Sequence, residues 1–91
     1  MAKFDITVTE TFKDSFRRLS KEEQALVEKK VERLADNPSH PSLRSKKIRG
    51  RDGRFESSVN MDIRLIWRYE DGRIIVILNV GRHDILKNIQ N

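Results

Sequence analysis

The 91-residue chain predicts an α+β domain in which one strand and two helices precede three antiparallel strands. Apolar residues recur at helical spacing between residues 12 and 34. They alternate with polar residues in "KFDITVT". "EDGR", Glu70 to Arg73, separates two apolar-rich runs of strand length. The predicted order is β-α-α-β-β-β: an antiparallel sheet covered on one face by the two N-terminal helices, then a short C-terminal helix or tail.

In the first strand Phe4, Ile6 and Val8 point one way. Thr9 caps a helix whose Phe12, Phe16 and Leu19 fall on one face. "SKEE" is a capping box, Ser20 with Glu23, opening a second helix with Leu26, Val27, Val31 and Leu34. That helix ends near Asp36, because Asn37 and Pro38 stop it and "NPSHPS" reads as a connector. "RFESSV" is the second strand, with Phe55 and Val59 as its large apolar residues.

The last two strands make a hairpin. Asp71-Gly72 suits the centre of a two-residue turn in which both positions need positive φ. Pairing Glu70 with Arg73 then sets Tyr69 against Ile74, Trp67 against Val76, Leu65 against Leu78 and Ile63 against Val80, all on the face the helices cover. The opposite face pairs Arg64 with Asn79, Asp62 with Gly81 and Asn60 with His83, so it turns polar at one end.

A chain this short holds one domain, residues 1 to 91, with a modest core. No apolar run is long enough for a membrane helix and the N-terminus lacks the order of a secretory signal, so a cytoplasmic protein with no membrane partner is expected. Without cysteine, and with two distant histidines, neither disulfides nor a structural metal is expected. The net charge of +5 lies entirely in residues 44 to 91, and "RSKKIRGRDGR" sets six cations against one acid. Such a run is either a solvated loop or the footprint of a protein that meets phosphate. Gly50 and Gly53 form no phosphate loop, lacking the strand and helix that would flank one.

A cluster of Arg64, His83, Asp62 and Asn79 beside a cationic loop suits an anionic ligand: guanidinium binds phosphate through paired hydrogen bonds, and imidazole moves a proton near neutral pH. The structural alternative for Arg64 is a salt bridge to Asp62, and for His83 a hydrogen bond to backbone. Glu56 is a candidate base or a solvated strand residue, His40 reads as a loop residue, and Trp67 and Tyr69 read as core.

The element order, with "LRSKKIRG" after the second helix, "DIRLIWRY" as the central strand and "VGRHD" closing the last, resembles the RelE/ParE toxin superfamily over nearly the whole chain. The resemblance implies a RelE-like fold and the toxin half of a type II toxin-antitoxin pair, held silent by a cognate acidic antitoxin. RelE-type members act on messenger RNA in the ribosome, the ribose 2′-hydroxyl attacking the adjacent phosphate without metal or cofactor. Arg64 and His83 match the family's catalytic positions, and Glu56 and Asp62 are acid-base candidates. Arg44, Lys46, Lys47, Arg49, Arg51 and Arg82 would line the RNA groove. The aromatic residue that often follows the catalytic His or Arg is missing, and Asp84 and Lys87 stand there instead. The alternatives are a ParE-like inhibitor of gyrase and a basic RNA- or antitoxin-binding domain without catalysis.

Overall fold

The computed structural model describes residues 3–50 and 53–82. Within them the chain forms β1 (Asp5–Val8), α1 (Glu10–Arg17), α2 (Lys21–Asp36), a 3-10 turn (Pro41–Leu43), β2 (Lys46–Lys47), β3 (Arg54–Ser58), β4 (Ile63–Glu70) and β5 (Ile74–Arg82). The strands make one sheet in the order β1-β5-β4-β3-β2. The expected α+β class and helix-helix-sheet order are present, with two differences. β1 joins β5 in parallel, so the sheet is mixed rather than antiparallel. A parallel neighbour needs a long connection, and the two helices belong to it. The basic loop also contributes a short edge strand, β2, against β3. The predicted C-terminal helix or tail falls outside the described residues.

Both helices start where their caps predict. Thr9 Oγ1 accepts from the Phe12 N–H at 3.1 Å. Ser20 and Glu23 exchange both bonds of the capping box, at 3.1 and 2.9 Å. Phe12, Val27 and Leu34 are buried against the sheet, whereas Leu26, expected on the same stripe, is exposed.

The hairpin register differs from the expected one. Asp71 and Gly72 do take positive φ, +53° and +86°, but Arg73 stays in the loop and Glu70 pairs with Ile74. The Arg73 N–H is turned toward Asp71 Oδ1 at 3.3 Å, and its carbonyl accepts from the Asp5 N–H at 2.9 Å, so β1 captures the residue the two-residue turn would have paired. The slip by one sets Tyr69 against Ile75 and Trp67 against Ile77. Continued, it would turn Val80 away from the helices. A bulge at Leu78 reverses the alternation and returns Val80 to the core, opposite Leu65.

Thr9 clamps that bulge: its hydroxyl donates to the Leu78 carbonyl at 2.7 Å while capping α1. The core comprises Ile63, Leu65 and Trp67 of β4 with Ile75, Ile77 and Val80 of β5, beneath the helices. Ile74, Val76 and Leu78, predicted there, are not members of this cluster; Leu78 packs with Ile48 and Ile66 instead. Trp67 is core as predicted, but Tyr69 is 41% exposed.

Candidate functional site

Strand alternation assigns the face opposite the helices. Leu65 and Trp67 face the core, so Arg64, Ile66 and Arg68 face away from it, and their β3 partners Ser58, Glu56 and Arg54 do likewise. β2 extends the row, because Lys46 pairs with Glu56. Lane by lane the face reads Arg64-Ser58, Ile66-Glu56-Lys46 and Arg68-Arg54. Arg64 and Glu56 are thus diagonal neighbours, a relation that sets Cβ atoms roughly 7–8 Å apart.

Glu56 is 5% exposed and lies in the same lane as the apolar Ile66, which packs with Ile48 and Leu78. A buried carboxylate needs a partner, and Lys46 Nζ supplies it at 3.2 Å from Oε1. Lys46 itself is 72% exposed. The carboxylate is therefore held in place by a cation that solvent, or an anionic ligand, can reach.

Arg64 is anchored by one nitrogen. Nη1 donates to the carbonyls of Asn60, Met61 and Ile63, at 2.6, 3.2 and 3.1 Å. The turn that offers these carbonyls is itself fixed by Asn60 Oδ1, which accepts from the N–H groups of Asp62 and Ile63. No ion pair to Asp62 is present among the described residues; Asp62 sits exposed in the turn before β4, outside the strand pairing predicted for it. Arg64 lines a cavity of about 340 Å³ with Arg44, Ser42 and Ser58, and no carboxylate among the described residues lines it. Two guanidinium groups and two hydroxyls make a lining suited to a phosphate.

The other predicted residues scatter. Lys47 pairs with Phe55 and so points to the face away from Lys46, and Arg49 is exposed in the turn after β2. Arg82 Nη1 is held by Glu23 Oε2 at 2.9 Å, on the helix side of the sheet. Asn79 accepts the Ser15 hydroxyl of α1 at 2.7 Å, so its side chain is turned to the helices and not toward Arg64. Arg51 and His83 lie outside the described residues. His40 caps the 3-10 turn, its Nδ1 accepting from the Ser42 N–H at 3.1 Å.

No family model matches the chain, and no curated protein does. Solved structures do. The RelBE2 toxin-antitoxin complex of Mycobacterium tuberculosis is 26% identical, over 91% of this chain and 94% of that one, with a TM-score of 0.74. The RelE-RelB complex of Pyrococcus horikoshii is 14% identical over 91% and 98%, with a TM-score of 0.75. A YoeB/ParE toxin of Agrobacterium tumefaciens is 12% identical over 88% and 99%, also at 0.75. This is the RelE/ParE-like toxin fold.

In this RelE/ParE-like chain the sequence reading missed Ser42 and Ser58. Neither carries a local signal: Ser58 lies beside Arg64 as its partner on β3, and Ser42 reaches the cavity because the connector after α2 folds back toward the end of β3. That fold-back is secured by a relay in which Trp67 Nε1 donates to Ser57 Oγ at 2.8 Å, Ser57 and Ser45 share a bond at 2.7 Å, and Ser45 donates to the Pro38 carbonyl at 3.0 Å.

Proposed function

We propose that the chain is the toxin of a type II toxin-antitoxin pair and that it cuts messenger RNA on the ribosome. The observation that carries this reading is the pairing of a buried carboxylate, Glu56, with Arg64 as its diagonal neighbour on the face opposite the helices. The fold it shares with RelE structures supports it as well.

The chemistry needs a base for the 2′-hydroxyl, cations for the charge that builds on the phosphate, and an acid for the leaving oxygen. Glu56 takes the 2′ proton. Its present partner is Lys46, and a phosphate that draws off this ammonium frees the carboxylate to accept that proton. The 2′ oxygen bonds to phosphorus as the bond to the 5′ oxygen breaks, giving a cyclic phosphate and a 5′-hydroxyl. Arg64, preoriented by three carbonyls, leaves the rest of its fork for the phosphate. His83 is assigned the acid by the family resemblance. Arg44 and Lys46 hold flanking phosphates, and the partner that silences the chain is an acidic antitoxin. Asp62, exposed and off the strand, is assigned no step.

Expression of the chain alone tests the reading. Growth and translation should stop, and co-expression of a small acidic neighbour should restore both. Harmless accumulation of folded chain would contradict a toxin, and intact messages with inhibited gyrase would point to a ParE-like action.

A further inference from the structure

On the helix side of the β3-β2 edge lies a second cavity, of about 420 Å³, that the proposed chemistry does not use. Rings of Phe55, Trp67 and Tyr69 line it, together with Arg44, Lys47 and the connector around His40. Phe55 stacks on Trp67 at 4.6 Å and 16°, which leaves Trp67 1% exposed, while Tyr69 stands edge-on to both rings and stays open to solvent. Among the described residues the lining holds cations and no carboxylate.

We infer that this cavity binds a nucleotide of single-stranded RNA, its base against Tyr69 and Phe55 and its phosphate on Lys47 and Arg44. Aromatic faces flanked by cations bind single strands in this way, because every base offers a π-face and every link a negative charge. The volume falls in the range of small-ligand sites. Arg44 is the join: it lines both this cavity and the one containing Arg64. Its left-handed backbone, φ +48°, sets it at the turn into edge strand β2. A strand laid over Arg64 therefore continues round the sheet edge into the aromatic cavity, phosphate following phosphate. An acidic peptide would match the charge but would leave the ring faces without a planar partner.

The inference rests on the RNA reading above, but its test turns on Tyr69 and Lys47, which that chemistry does not use, so the two separate by experiment. The full chain is titrated with a single-stranded oligoribonucleotide carrying 2-aminopurine, whose fluorescence falls on stacking, and cleavage on programmed ribosomes is measured in parallel. Wild type should quench the probe. Tyr69→Leu should weaken binding roughly 5- to 100-fold and abolish the quench, whereas Tyr69→Phe should keep both. Lys47→Glu, at an exposed position that leaves the rings alone, should weaken binding while the protein melts as wild type. Arg64→Ala should retain the quench. Equal quenching by wild type and Tyr69→Leu, or none by wild type, would overturn the nucleotide assignment and leave the cavity to an acidic peptide. Cleavage with no Tyr69 dependence would sink this inference alone; a Tyr69-dependent quench without cleavage would sink the nuclease reading alone.

Discussion

Lys46 Nζ lies 3.2 Å from Glu56 Oε1, and the two ends of this ion pair live in different solvents: the lysine side chain is 72% exposed, the glutamate 6%. A carboxylate so placed is stable only while something positive attends it. Lys46→Ala should therefore destabilise the fold more than Lys47→Ala, although the two are adjacent, because only the first leaves a buried charge behind. Denaturant midpoints of the two variants check this; equal losses would show that Glu56 does not depend on its partner.

Arg64→Ala should fold and fail. Among the described residues its guanidinium bonds only to carbonyls of the turn at its own strand's start, so little packing is lost, while the chemical step should slow by about 10² to 10³. The adjacent Leu65→Ala should do the reverse, costing roughly 2 to 5 kcal/mol of stability from a fully buried position. Thermal melts and single-turnover cleavage on the same preparations distinguish the two; a melted Arg64→Ala would make the arginine structural.

Salt should weaken RNA or ribosome association steeply, and replacing Lys46, Lys47 and Arg49 with alanine should flatten that dependence, each phosphate contact being worth about one unit of slope. Lys46 and Lys47 point to opposite faces. Lys46→Ala should therefore lower the slope for cleavage substrates, and Lys47→Ala chiefly for longer single strands. An unchanged slope in the triple variant would reduce the loop to a solvated surface.

The fold was legible in the sequence wherever a local rule acted alone: both caps, the end of α2 at Asp36 and the positive φ of Asp71 and Gly72 follow from neighbouring residues. The hairpin register was not, because it depends on β1. Asp5 takes the Arg73 carbonyl and Thr9 takes the Leu78 carbonyl, contacts 68 and 69 residues apart that no alternation pattern encodes. That slip and bulge set Asn79 opposite Ile66 rather than Arg64, and the Ser15 hydroxyl of α1 holds its side chain. Arg64 could be placed from the sequence, since its strand face follows from the apolar pattern of β4; Glu56 was named as a candidate base, but the register of β3, with only Phe55 and Val59 as large apolar residues, stayed open. Their proximity, and the ion pair that occupies Arg82, came only from the sheet order and the packing of α2.

Acid should loosen the start of α2. The Ser20 N–H, first, and then Arg82 hold the Glu23 carboxyl below its ordinary value of 4.5, with desolvation opposing them. A carboxyl depressed in the folded state contributes stability that is complete above the unfolded value and is lost as pH falls through the folded one. Urea midpoints of wild type should fall as pH drops below about 4.5, and Glu23→Gln should flatten that fall. Identical acid limbs would show that Glu23 contributes nothing there.

Single-turnover cleavage of a message on programmed ribosomes, with the new 3′ ends analysed, bears most directly on the role of Glu56. Wild type should release fragments ending in a cyclic phosphate, and Glu56→Gln, nearly the same shape without the charge, should lose about 10² to 10⁴ in rate while still binding ribosomes. Full cleavage by Glu56→Gln would contradict the assignment of this buried carboxylate as the base.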